Sequence, residues 1–196
     1  MIYWFKARRL NSIAALAIAL YALMVALFLD SAIELPFATG GGDMLLMMLA
    51  PLPICSALVL CLRSRLDAAD ALPVRRVWAF DMAAVAVLLL LAVVIGQVCS
   101  VLLDSRAAGE ASRNTVFLAA CTLAVLPWLK ERAIVVPVAT VMVTPLLGRG
   151  YGGEPRWWAI LLQPAADPTA LAGCAAACTA AAIAMASHGR RLHVTG

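Results

Sequence analysis

Few residues in this chain are equipped for chemistry, and most of those lie in one short stretch. "RSRLDAADALPVRRVW", residues 63–78, carries four arginines, two aspartates and a proline between apolar runs. Asp67 and Asp70 form a D-x-x-D pair, a minimal oxygen donor set for a divalent cation. Two carboxylates alone hold Mg²⁺ weakly, and the helix that follows adds only Asp81. Cys174 and Cys178 share a helix face at i,i+4, but no histidine or carboxylate within that span completes a zinc set. Cys55, Cys61, Cys99 and Cys121 also fall in apolar runs, where a thiol packs as a small apolar group. Neither a disulfide nor a metal is expected. His188 and His193 sit in the C-terminal tail, and there is no His-Glu-x-x-His and no G-x-x-x-x-G-K-[ST] phosphate loop.

The elements around these residues are overwhelmingly apolar. The chain has 196 residues, 64% of them hydrophobic and 13% charged, and its net charge is +4. A soluble domain of this size buries only about two-thirds of its unfolded surface, too little to hide so much apolar area. The basic residues lie between apolar runs rather than in one patch, which excludes a nucleic-acid footprint. A bilayer core needs roughly 20 apolar residues as helix. The sequence therefore predicts an all-α polytopic membrane protein, a single transmembrane domain over 1–196. Its six spans are expected at about 12–29, 44–62, 78–103, 113–129, 133–147 and 168–187. The first run is too long for the h-region of a signal peptide. Pro51 and Pro53 are expected to break span two midway, and Pro137 and Pro145 to break span five. Gly173 and Ala177 form a small-x-x-x-small pair on span six, which predicts close helix packing within the subunit or at a dimer seam.

Lysine and arginine set the orientation. One side collects Lys6, Arg8, Arg9, Arg63, Arg65, Arg75, Arg76, Lys130, Arg132, Arg190 and Arg191, which is eleven. The other collects Arg106, Arg113, Arg149 and Arg156, which is four. Both termini are thus expected on the cytoplasmic side of the membrane. Arginine outnumbers lysine 13 to 2 and alanine is abundant, a bias typical of a high-GC bacterial gene. The bacterial inner membrane is the expected location. Asp81 is the one charge expected inside a span, paired with Arg63, Arg65, Arg75 or Arg76. Residues 148–167 place glycines ahead of "RWWAILLQP", an apolar stretch too short to span, which predicts an interfacial or re-entrant element.

The charged insert reads as a two-turn amphipathic helix on the cytoplasmic surface. Ser64 can cap it, with Asp67 three residues on. Leu66, Ala69 and Leu72 give it a narrow apolar face. Pro73 disfavours helix at Leu72 and stops it. Arg75 and Arg76 then lie at the inner interface. The D-x-x-D pair and Arg75 bear a superficial resemblance to metal-dependent phosphatidyltransferases. Those enzymes need a glycine where this chain has Ala71, and a second acidic pair.

The whole layout resembles the membrane subunits of type-2 ABC exporters. It has six spans, both termini inside and an aromatic-basic segment, "MIYWFKARR", ahead of span one. A short helix joins spans two and three, Lys130, Glu131 and Arg132 make a tight hairpin between spans four and five, and a re-entrant-like stretch precedes span six. The turn "LDAADALPVRR" is similar to that family's coupling helix, which docks into a separate ATPase. The chain departs from the family in a leading segment of only about nine residues and in the two prolines of span two.

The resemblance implies a permease subunit that is not itself an enzyme and holds no cofactor. ATP and Mg would sit on a cytoplasmic ABC ATPase partner, beside a second membrane subunit, the same or homologous. It implies an ATPase contact through Leu66, Asp67, Asp70, Leu72, Pro73, Arg75 and Arg76, with a secondary contact at Lys130, Glu131 and Arg132. An outer gate is expected at Arg156, Trp157, Trp158, Gln163 and Pro164. The apolar lining points to an amphiphilic substrate such as a peptide, antibiotic or lipid. Two other readings compete: a non-transporting assembly or sensor subunit, and a membrane-surface lipid enzyme using Asp67 and Asp70.

Overall fold

The computed structural model describes residues 10–28, 32–34, 43–63, 77–150 and 153–194. The charged insert from Ser64 to Arg76 and the leading segment 1–9 lie outside the described residues. So the expected ATPase contact, Leu66, Asp67, Asp70, Leu72, Pro73, Arg75 and Arg76, has no structural account.

The described chain is mostly helical, with one short strand pair. Six α-helices follow in order: α1 (Leu10–Leu27), α2 (Pro51–Arg63), α3 (Val77–Leu102), α4 (Arg106–Leu129), α5 (Val135–Leu147) and α6 (Pro168–Val194). Strands β1 (Ala32–Glu34) and β2 (Asp43–Leu45) pair antiparallel, with Ile33 opposite Met44. A 3-10 turn, Leu46–Leu49, then leads into α2.

Pro51 begins α2 directly after the 3-10 turn and the turn residue Ala50, so the expected second span is interrupted there, and Pro53 lies in the first turn of α2. In a first turn the missing N–H has no intrahelical acceptor, so proline fits there without penalty. The same holds for Pro137, in the first turn of α5, while Pro145 lies in its last turn. The helical part of the second apolar run is therefore 13 residues, and α5 is also 13. At 1.5 Å per residue each is about 20 Å long. In contrast, α4 extends seven residues ahead of its expected start, through "RAAGEAS".

Helix α4 is the centre of the bundle. It packs against α2, α3, α5 and α6, and α1 covers α2 and α3. Its buried residues run from Ala108 to Leu126 on almost every side. The outer helices are one-sided. On α3, Asp81, Val85, Leu88, Ala92 and Gly96 face inward. Val87, Leu90, Leu91, Val94, Val98 and Val101 face outward and are exposed. Spacings of three and four residues put each set on one face of a helix.

Apolar side chains fill the core and also cover much of the surface. Leucine, valine and isoleucine line the outside, while Asp81, Ser112, Arg113, Asn114, Thr115, Thr122, Thr144 and Gln163 are buried. Among the buried hydroxyls, those of Thr115 and Thr122 are satisfied within α4: Thr115 donates to the Ala111 carbonyl at 2.7 Å, and Thr122 to Leu118 at 2.7 Å. Two segments, Asp81–Leu102 and Pro168–Ser187, are long and apolar enough to cross a membrane by length and composition. Only 22% and 17% of their apolar windows are buried, so neither has the enclosure of a soluble core helix.

Close approach at the α3–α4 crossing depends on Gly96. A Cβ built there would lie 2.0 Å from Ser112 Oγ, 2.9 Å from the Tyr21 hydroxyl and 3.2 Å from the Ala108 carbonyl. The missing side chain lets α1, α3 and α4 meet at one point, as small residues do wherever helices pack closely in lipid.

Candidate functional site

The richest polar constellation lies where α4 begins and the segment 153–167 passes over it. After α5, the chain folds back through an isolated bridge between Arg149 and Pro155. The Arg156 amide donates to Gly148 O at 2.8 Å, and Ala159 N to Arg156 O at 2.9 Å. A single 3-10 turn, Ile160–Leu162, follows and buries Leu161. The segment thus enters the bundle by three residues, which makes it a cap rather than a re-entrant helix.

Arg113 and Asn114 of α4 hold this cap in place. Arg113 is only 8% exposed. Its Nη1 donates to the Pro164 carbonyl at 2.6 Å, and its Nη2 to Ile160 O at 2.8 Å. Nη2 and Nε also reach Asn114 Oδ1, at 2.9 and 3.3 Å. Asn114 Nδ2 donates to Leu161 O at 3.3 Å. Three carbonyls of the cap are thereby paired with two adjacent side chains of α4. The carboxylates whose charge reaches the guanidinium are Glu110, one turn earlier, and Asp167. A buried cation satisfied on most of its donors is the arrangement that keeps desolvation affordable.

A second set ties the cap to α6. Gln163 Nε2 donates to Trp157 O at 3.1 Å, and Gln163 Oε1 accepts from Thr169 Oγ1 at 2.9 Å. Asp167 Oδ1 accepts from the Thr169 amide at 2.8 Å and from the Ala170 amide at 3.3 Å, which caps α6. The hydroxyl and amide of Thr169 hold the Asp167 carboxyl below the usual carboxylate range. Gly173 lies directly beneath: a Cβ there would meet Ile160 Cδ1 at 2.3 Å. The small-residue face of Gly173 and Ala177 is turned inward, with Ala177 packed on the core.

The sequence-expected gate residues therefore separate by role. Gln163 is buried and wired, and Pro164 contributes its carbonyl. Arg156 contributes its carbonyl while its side chain is exposed. Trp157 is 80% exposed and Trp158 partly so. Arg113, placed in an outer loop by the sequence reading, is instead a buried residue of α4. Asn114, Asp167 and Thr169 were also missed. A signal existed: Glu110 and Arg113 are three residues apart, a pairing distance if the stretch is helical.

Comparison with protein-family models, curated proteins and solved structures finds no match to this chain.

Two features occupy the opposite end of the bundle. Asp81 is buried against a cavity of about 20 Å³, lined with Leu58, Cys61, Leu62, Ala84, Val85 and Leu88. The side chains of Arg63, Arg65, Arg75 and Arg76, its expected partners, lie outside the described residues. Lys130, Glu131 and Arg132 are exposed in the 3-10 turn Lys130–Ile134, where Lys130 takes a φ of 54°. The six cysteines are free thiols, and among the described residues no group of three or more His, Cys, Asp or Glu side chains is placed to hold a metal.

Proposed function

We propose that this chain is the six-span permease subunit of an ATP-driven exporter in a bacterial inner membrane. A separate cytoplasmic ATPase docks on the insert 64–76, and the subunit works as a pair with itself or with a homologous chain. The supporting observation is the cap at 153–167, held over the polar end of the central helix by Arg113 and Asn114. A permease needs its outer end closed at rest by a structure that separates without unfolding the spans. A three-residue turn held by side-chain hydrogen bonds meets that need better than a packed helix. The apolar periphery supports insertion of the bundle in a bilayer. Helix α2, about 20 Å long, completes its span with the flanking turn Leu46–Leu49. In this reading an amphiphilic substrate leaves between two subunits beside the cap.

The test is purification of the intact membrane complex from its host in mild detergent. A stoichiometric ATPase should copurify, and Leu66→Arg or Asp70→Arg should release it while the melting temperature of the membrane subunit stays unchanged. Absence of an ATPase, or its retention by both variants, removes the basis for the reading.

A further inference from the structure

The turn that joins α4 to α5 carries an open concavity of about 490 Å³ lined by Trp128, Leu129, Lys130, Glu131 and Arg132. That volume is within the range of small-ligand sites. Trp128 is 68% exposed, and Leu129 and Val135 on either side are exposed as well. The two cations are also solvent-facing. No ion pair joins Glu131 to Lys130 or Arg132 among the described residues, so both cations keep their donors for an outside group. The left-handed φ of Lys130 turns the chain sharply enough to put both cations and the indole on one concavity. Apolar exposure continues from the concavity along α5 through Val138 and Met142.

We propose that this concavity binds the headgroup of an acidic phospholipid. The lipid's phosphate lies between Lys130 and Arg132, the indole of Trp128 sits at the glycerol level, and the acyl chains run along the exposed face of α5. Charge complementarity selects the ligand: the charged residues that line the concavity among the described residues are two cations and one carboxylate. Continuity with the apolar belt selects a lipid over a free phosphate, because Trp128, Leu129 and Val135 need an apolar neighbour that a soluble anion lacks. The proposal rests on the reading that the bundle spans a bilayer and is independent of any ATPase.

The experiment reconstitutes the full chain with Trp128 as its sole tryptophan (Trp4, Trp78, Trp157 and Trp158 changed to Phe) in vesicles of phosphatidylcholine and phosphatidylglycerol. One or other lipid carries bromine on its acyl chains as a quencher. Trp128 should be quenched about fivefold more effectively per mole by the brominated acidic lipid. The preference should vanish in Lys130→Gln/Arg132→Gln and weaken in high salt. Equal quenching by both lipids overturns the proposal. A control with the sole tryptophan at Val94→Trp, on the exposed face of α3, tests the bilayer reading separately and should be quenched equally by both. Loss of quenching at that position removes the bilayer reading and the proposal with it. Quenching there but by neither lipid at Trp128 overturns the proposal. Native mass spectrometry of the unmodified protein gives the same comparison without tryptophan changes: retained phosphatidylglycerol should fall in Lys130→Gln/Arg132→Gln, and unchanged retention counts against the site.

Discussion

Arg113 Nη1 donates to the Pro164 carbonyl at 2.6 Å across 51 residues of chain. This bond and its neighbours to Ile160 and Leu161 join the central helix to the cap. Arg113→Ala leaves buried carbonyls without donors and should destabilise the protein by about 3–5 kcal/mol. Arg113→Lys keeps the charge but not the fork and should fall between. Melting temperature in detergent measures the global effect. Tryptic cleavage after the exposed Arg156 measures the local one and should accelerate in Arg113→Ala. A variant that melts and is cleaved like the parent would show that the cap is held by packing alone.

Gly96 and Ser112 meet across the α3–α4 crossing. Gly96→Ala forces a Cβ to within 2.0 Å of Ser112 Oγ, so the helices must separate or tilt. Overpacking of this kind costs about 1–3 kcal/mol. Ser112→Ala removes the nearest atom and should recover part of that loss in the double variant, because the Tyr21 hydroxyl and the Ala108 carbonyl still crowd the site. The coupling is read from a double-mutant cycle on melting temperatures. Strict additivity would refute the contact.

Asp167 caps α6, and its carboxyl is held below the ordinary carboxylate value by Thr169. A group with a depressed folded value stabilises the fold fully above its unfolded value, about 3.9. That contribution is lost as pH falls through the lower folded value. The amide signals of Thr169 and Ala170 should therefore hold steady down to about pH 4 and shift only below it. Asp167→Asn should abolish this titration while keeping the cap, since asparagine caps nearly as well. A midpoint above the ordinary carboxylate value would invert the assignment.

Gly173 makes room for Ile160 within one subunit. Gly173→Val should displace the 3-10 turn and speed cleavage after Arg156, and Ile160→Ala should restore resistance. The oligomeric size, measured by light scattering in detergent, should not change. Dissociation of a dimer by Gly173→Val would instead place this face at a seam between copies.

Composition and periodicity determined much of this protein. Long apolar runs without charge are expected to form helices, and the described chain is α-helical over most of them. The order of the helices, their bounds within several residues and the short turn at Lys130–Arg132 were legible for that reason. Local chemistry misled in two places. Prolines signal a break wherever they occur, and only the position of the helix starts made Pro53 and Pro137 harmless. The expected fourth span starts at residue 113, seven residues after α4 begins, because a lone window carries no information about enclosure. In the folded bundle α4 is surrounded by four other helices, so its polar residues face partners rather than solvent. Arg113 becomes a clasp only because residues 160–164, about fifty positions away, fold back over it. A pairing over that separation has no periodic signature in the sequence; it exists only when the cap supplies carbonyls at hydrogen-bonding distance to a cation that would otherwise be buried without partners.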